Sequence, residues 1–270
     1  MLRSAREFSG YAIRASDGDV GTASDLYFDD ASWKIRYVIV NTGEWLAGRK
    51  VLVAPEAFGS PQWHERVIPV NLTREQIERA PDIDVDRPVS RQQELSYRTH
   101  YGWLPYQITP FGLPTTLGFY PIAPVESERT TVAPKSEGEE EAAARAHEEA
   151  ADAHLRSVRD IISHHIEASD GEIGHLEDFI FDDEELTIRD IVVDTRNWLP
   201  GKHVLLPREF VDSFDWRKRQ VHIDQPKVRI EQAPAFDHER DVTRQYEEEL
   251  YAYYGVEPYW QTAQNRQRAS

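Results

Sequence analysis

The feature that most constrains this chain is an internal repeat. Displaced by 153 residues, ASDGDVGTASDLYFDD from Ala15 falls on ASDGEIGHLEDFIFDD from Ala168. The same offset carries Ile35-Arg36 onto Ile188-Arg189, Thr42 onto Thr195, Trp45-Leu46 onto Trp198-Leu199 and Val51-Leu52 onto Val204-Leu205. It continues through Trp63 and Trp216, Ala80-Pro81 and Ala233-Pro234, and Tyr101-Gly102 and Tyr254-Gly255. One displacement sustained over roughly 95 residues is the mark of a duplication, so whatever this chain folds into, it does so twice.

Each copy reads as short strands. Asp17-Gly18 and Asp170-Gly171 predict two-residue hairpins, with positive φ at both central residues. Alternating runs follow, through Val20, Leu26 and Phe28 to residues 34–40, and through Ile173, Leu176 and Phe179 to residues 187–193. Trp45-Leu46-Ala47-Gly48 and Trp198-Leu199-Pro200-Gly201 close a further hairpin, and more short strands are expected at 62–64 and 67–70. Five or six such strands predict a small closed or nearly closed barrel, which leaves no sticky edges. Helical pieces come after each barrel. Thr73 with Gln76 and Ser90 with Gln93 are capping patterns, and the second helix should stop at Gly102. Its counterpart runs from near Thr243 to Gly255, with Tyr246, Leu250 and Tyr254 along one face.

The expected division is a first barrel over 1–82, a linker over 83–156, a second barrel over 157–235 and a C-terminal helix and tail over 236–270. The linker is rich in proline and aromatics, then in acidic helix formers over 137–156. The fold class is mainly β with accessory helices: two barrels in tandem, joined by a Pro-rich and acidic helical linker. Two near-identical modules carry the same surface patch, so the barrels are expected to pair with approximate two-fold symmetry. Tyr101, Trp103, Tyr106, Phe111, Phe119 and Tyr120, with Tyr251, Tyr253, Tyr254, Tyr259 and Trp260, would cover the seam; the competing arrangement wraps each aromatic tail round its own barrel.

The run from Gly10 to Gly21, continuing through Asp25-Leu26-Tyr27-Phe28-Asp29-Asp30 and residues 35–40, resembles the PRC-barrel family. The second copy, with Asp178-Phe179 and residues 194–202, looks like the second module of bacterial tandem PRC-barrel proteins. The resemblance covers about 2–82 and 155–235. The family includes the cytoplasmic domain of the photosynthetic reaction-centre H subunit and the C-terminal domain of a ribosomal maturation factor. It implies a β-barrel that docks on a larger assembly.

Composition excludes several functions. The chain has no cysteine, so thiolate nucleophiles and cysteine zinc sites are out. Its net charge is −17, concentrated in the second half, which opposes nucleic-acid binding and anionic membrane surfaces. The N-terminal residues hold no apolar stretch of signal-peptide length. The charge-free stretch 99–125 contains five prolines and cannot span a bilayer as a helix. A cytoplasmic location is expected.

Asp29-Asp30 and Asp182-Asp183-Glu184-Glu185 lack the alternate spacing of a calcium loop and read as solvated acidic turns. His164 and His165 are adjacent on a strand and point to opposite faces, so with His175 they make a poor metal site. His147 and His154 are two helical turns apart. The Gly-x-x-Gly at Gly18–Gly21 and Gly171–Gly174 lies in a hairpin, where glycine serves turns and bulges, not phosphate. No catalytic residue, cofactor or metal ligand is expected. Trp45-Leu46 and Trp198-Leu199 either plug their barrels, the preferred reading, or form an interaction surface; Trp45, Leu46, Trp198 and Leu199 are the candidate residues for it.

The sequence thus points to a non-enzymatic protein-interaction or assembly module with an unidentified protein partner. It leaves room for a homo-oligomer and for peripheral association with a membrane complex. The alternative is an auxiliary factor of photosynthetic reaction-centre or electron-transfer complexes; a metal-dependent enzyme ranks below both.

Overall fold

The computed structural model describes residues 1–81, 91–103, 155–195, 202–238 and 241–261. They belong to two compact units, Met1–Glu75 with His154–Ser270, and Gln76–Ala153. Both copies of the repeat lie in the first unit.

Copy one contains β1 (Leu2–Ser4), β2 (Ala12–Ala15), β3 (Gly18–Asp29), β4 (Ile35–Asn41), β5 (Lys50–Val53) and β6 (Val67–Pro69). Copy two contains β7 (Leu155–Ser157), β8 (His165–Ala168), β9 (Gly171–Asp182), β10 (Thr187–Asp194), β11 (His203–Pro207), β12 (Val211–Asp215), β13 (Gln220–Ile223) and β14 (Ala235–Phe236). The sheet orders are β5-β4-β3-β2-β6 and β12-β13-β8-β9-β10-β11-β14. The shared five-strand path has one topology in both copies, down to the parallel pairs β2–β6 and β8–β13. Copy two also contains β12 and β14; the positions that match β14 in copy one, 82 and 83, lie outside the described residues. In copy one the residues that match β12, 58–62, carry only isolated bridges, Phe58 to Val70 and Gln62 to Val67, and a 3-10 turn follows at Trp63–Glu65, so residues 62–64 are not the strand expected there.

Two local expectations change. The hairpin turns are Ser16-Asp17 and Ser169-Asp170, and positive φ is confined to Gly18 and Gly171, at +148° and +122°. The turn aspartates do a tertiary job instead. Asp17 Oδ1 accepts from Arg74 N and Asp170 Oδ1 from Lys227 N, each at 2.8 Å, which ties the hairpin to the first amide of the helix after the barrel. Nor do β4 and β10 alternate. Ile35–Val40 and all of Thr187–Asp194 are buried on both faces. The second glycine of each Gly-x-x-Gly is set by close approach: a Cβ on Gly21 would overlap the Asn41 carbonyl, and one on Gly174 the Asp194 carbonyl.

The two copies exchange strands. β1 of copy one pairs with β9 of copy two, with Leu2, Arg3 and Ser4 opposite Asp182, Phe181 and Ile180. β7 of copy two pairs with β3 of copy one, with Leu155, Arg156 and Ser157 opposite Asp29, Phe28 and Tyr27. The two registers are the same once 153 is subtracted, and the exchanged tripeptides are identical in sequence. A second reciprocal link joins the β3–β4 and β9–β10 turns. Ile35 N donates to Leu186 O and Ile188 N to Trp33 O, each at 2.8 Å, and Trp33 and Leu186 both adopt left-handed conformations. Each contact therefore occurs twice with the copies interchanged, the pattern of an isologous interface. Its centre is aromatic: Phe28 lies 5.3 Å from Phe179, and Phe8 meets Phe181 edge-on at 5.9 Å.

The expected pairing of the barrels is present, and strand exchange makes it. The helix Arg244–Tyr254 runs from Thr243, whose hydroxyl accepts from Tyr246 N, to Gly255 at φ +67°. Its aromatics return to copy two. Tyr254 packs on Phe210 at 5.2 Å, Arg189 of β10 lies 3.8 Å from the Tyr259 ring, and Tyr251 packs on Tyr259 and Trp260. In the second unit the helix Arg91–Tyr101 ends as expected, with Gly102 at φ +70°. There Tyr101 stacks on Trp103 at 4.5 Å. Tyr106, Phe111, Phe119, Tyr120 and the acidic segment up to 154 lie outside the described residues. Leu155 and Arg156, which the sequence places at the end of the acidic helix, are strand β7.

Candidate functional site: two matching clefts beside the exchanged strands

Each exchanged strand ends in a serine that serves both copies. Ser157 Oγ accepts from Asp160 N at 3.0 Å, capping the short helix Val158–Ile161, and donates to Asp25 Oδ2 at 2.6 Å. Ser4 Oγ likewise accepts from Glu7 N at 2.9 Å and donates to Asp178. The aspartates collect further donors. Arg159 N and Leu26 N reach Asp25 Oδ1 at 3.1 and 2.8 Å; Arg6 N and Phe179 N reach Asp178 Oδ1 at 2.9 and 2.8 Å. These donors favour the carboxylate, yet burial outweighs them. Asp25 is held above its ordinary range, and Asp178 is pushed up to about 6.

One residue earlier on each strand, an arginine spans the copies. Arg3 Nε donates to Asp183 Oδ2 at 2.8 Å while its guanidinium lies 4.2 Å from the Trp63 ring. Arg156 Nε donates to Asp30 Oδ2 at 2.8 Å, with its guanidinium 4.5 Å from Trp216. The acidic turns are therefore not simply solvated, as the sequence suggested. Asp29 is wholly buried, and its Oδ1 accepts from Ala31 N and Ser32 N at 3.1 and 2.7 Å. Asp30 and Asp183 carry the ion pairs between copies, and Arg189 reaches Glu185 at 2.7 Å. Glu184 and Glu185 are the exposed members.

Beside each arginine a cleft opens. The cleft of copy one, about 360 Å³, is lined by Arg6, Glu7, Phe8, Tyr11 and Trp63, and by Glu177, His238 and Asp241 from copy two. The cleft of copy two, about 510 Å³, is lined by Arg159, Asp160, His164, Trp216 and Arg219. Subtracting 153 maps Arg159, Asp160, His164 and Trp216 onto Arg6, Glu7, Tyr11 and Trp63. The two clefts are the same feature in different dress. In copy one Phe8 stacks on Tyr11 at 5.3 Å, and Tyr11 meets Trp63 at 6.0 Å. In copy two the buried His164 stands edge-on to Trp216 at 5.8 Å, and Trp216 is 38% exposed. Burial lowers the His164 pKa from its ordinary value, with the nearby Arg219 charge adding to the effect.

The residues singled out from sequence fall variously. Trp45 and Leu46 are half-buried on their hairpin, where the Arg74 guanidinium lies 4.3 Å from the Trp45 ring. Trp198 and Leu199 lie outside the described residues, as do His147 and His154. His164 and His165 diverge as expected: His164 is buried, and His165 faces out beside His175 and Glu172, 3.0 Å from the latter. Sequence reasoning missed one cluster, in which Glu177, His203 and His238 bring one ligand-type atom each within 4.8 Å of one another. The Arg-Trp clefts were missed too, although the recurrence of Trp63 at Trp216 was the signal that could have found them.

A family model described as the PRC-barrel domain matches residues 2–73 and again 156–230. No curated protein matches the chain.

Proposed function

This chain belongs to the PRC-barrel domain family, with two of its barrels in tandem, and we propose that it is a non-enzymatic, cytoplasmic interaction module whose contact surfaces are the paired Trp clefts. One observation carries the reading: the same tryptophan, arginine and acidic residue line a cleft in each copy. Tryptophan and arginine dominate the energetics of protein interfaces. A half-exposed tryptophan under a guanidinium offers a large contact area with little side-chain entropy left to lose. Two such clefts in one compact unit suit a partner that engages both, because the second contact is then intramolecular. The Trp45-Leu46 tip, with Trp198-Leu199 at the matching positions, is a further proposed contact. Among the described residues no helix is long and apolar enough to cross a membrane.

The test is quantitative capture from the native cell with full-length protein, comparing wild type with Trp63→Ala, Trp216→Ala and the double variant. A protein recovered by wild type should fall in each single variant and vanish in the double. Equal recovery by wild type and the double variant would reject the clefts as the contact surface.

A further inference from the structure

The geometry points to a divalent transition-metal site of the zinc class in copy two, built from Glu177, His203 and His238. His203 Nδ1 lies 2.6 Å and His238 Nε2 3.2 Å from the same carboxylate oxygen, Oε2 of Glu177. The imidazole rings meet edge-on with centroids 4.3 Å apart. A first-row cation bonds nitrogen and oxygen at about 2.0–2.2 Å, which spaces neighbouring donor atoms about 3 Å apart. Both nitrogens already stand near that separation from the carboxylate oxygen, and the three atoms lie within 4.8 Å of one another. Two imidazoles and one carboxylate favour zinc and its neighbours over calcium or magnesium, which take oxygen ligands.

The backbone explains why these side chains converge. The β9–β10 register slips between Val192 and Val193, which face Asp178 and Leu176, so Glu177 is the extra residue of a bulge. Bulges re-aim a side chain out of the ladder. His203 opens β11, opposite Asp194 on one side and Phe236 of β14 on the other. His238 follows β14 by two residues. Lys202 anchors this arrangement: its ammonium donates to the carbonyls of Ala233, at 2.9 Å, and Glu231, on the segment leading into β14. Arg6 holds the other carboxylate oxygen of Glu177 at 3.4 Å. Oε2 of Glu177 and Nδ1 of His203 are screened from solvent, and neither has a conventional hydrogen bond.

Copy one shows what the scaffold does without the site. Its bulge residue is Ser24, whose hydroxyl donates to Ile39 O at 3.1 Å, and the position of His203 is taken by Lys50. The bulge is thus common to both barrels and the ligand set is particular to copy two. Three protein donors leave a coordination position for water or for a donor from a bound partner. Glu177 and His238 also line the first cleft, so that position is close to the surface proposed above.

The test uses the full chain, stripped with chelator and titrated with zinc against a competing chelator. A cobalt titration read by visible absorbance reports the ligand field. One equivalent should bind. Glu177→Ser and His203→Lys, which install the residues copy one carries, should each weaken binding by at least about tenfold. His165→Ala, on the same barrel, should leave affinity unchanged. Absence of a saturable equivalent, or equal affinity in Glu177→Ser and His203→Lys, would overturn the proposal. Thermal melts of the metal-free variants check the fold; should either melt early, His238→Ala, beyond the last strand, replaces it, and unchanged affinity there would count against the site equally.

Discussion

Copies one and two share the polar frame of the strands that they exchange and differ in the side chains packed around it. At the exchange the polar parts recur: Leu-Arg-Ser strands, Asp25 and Asp178, Arg3 and Arg156, Trp63 and Trp216; the packing between them does not, since Phe8 and Trp33 stand where copy two has Ile161 and Leu186. Around that frame, Glu177 stands where copy one has Ser24 and reaches Arg6 across the seam, His203 stands where it has Lys50, and β12 stands where residues 58–62 are bridged only at Phe58 and Gln62. In an isologous interface each residue meets its counterpart's neighbour, so a change on one side is felt at a second place. Once the two halves share a chain, that constraint weighs most on the exchanged strands and the aspartates that receive them, whose contacts are each made twice.

The comparison is broken most severely by separating the copies. Expressed alone, residues 1–81 present the β3 edge that β7 covers and a β1 strand without its β9 partner. Because Leu2-Arg3-Ser4 is identical to Leu155-Arg156-Ser157, the fragment can satisfy both by pairing with itself, with Ser4 on Asp25 and Arg3 on Asp30 of the second molecule. Sedimentation should show a folded dimer that unfolds on dilution. A well-folded monomer would mean that strand exchange is dispensable. Second in size is Asp25→Ala, which strands Ser157 Oγ and the amides of Arg159 and Leu26. Loss of about 2–4 kcal/mol is expected in urea melts, from removing a charged acceptor that three donors share. A loss well below that range would place the interface energy in the aromatic cluster instead.

The local skeleton was legible because its signals are local. Gly102 and Gly255 announced their helix ends, and the Gly-x-x-Gly pairs announced hairpin geometry. The constant offset announced two barrels of one topology. What was not legible depended on pairs distant in sequence. A three-residue strand such as Leu2–Ser4 has no periodicity to read, and its partner Phe181 is reached only through tertiary structure. Asp30 and Asp183 look like turn residues until Arg156 and Arg3 arrive from the other copy. The Glu177–His203–His238 cluster needs a bulge and the pairing of β14 with β11, and neither leaves a mark in residue spacing.

A subtler probe is pH. Burial raises the Asp25 pKa above 3.8. The folded chain therefore keeps that proton where the unfolded chain has lost it. This contribution to stability is full below the unfolded value and is lost as pH rises from about 3.8 through the folded value. Asp25→Asn keeps an acceptor for the two amides and abolishes the titration. The variant should gain on wild type as pH rises, and the advantage should shrink to a constant in acid. An advantage that grew on acidification would show that the three donors outweigh burial.

The smallest effect expected comes from one position where the copies differ in backbone cost alone. Gly10 and Ser163 are equivalent. Both are exposed, both hold positive φ, at +89° and +74°, and both amides donate to the third strand of their copy, to Ala23 O and Leu176 O at 2.7 Å. An L-residue in that conformation costs about 1–2 kcal/mol, which glycine avoids, at the expense of a freer unfolded chain. Ser163→Gly should therefore stabilise the protein by about 0.5–1 kcal/mol. Gly10→Ala should destabilise it by a similar amount, since the nearest atom to a new Cβ is an arginine tip 3.9 Å away and no clash adds to the cost. Paired melts of the two variants read the same backbone term with opposite sign. If both destabilise, the serine side chain contributes something the glycine cannot, and the equivalence of the copies ends at this turn.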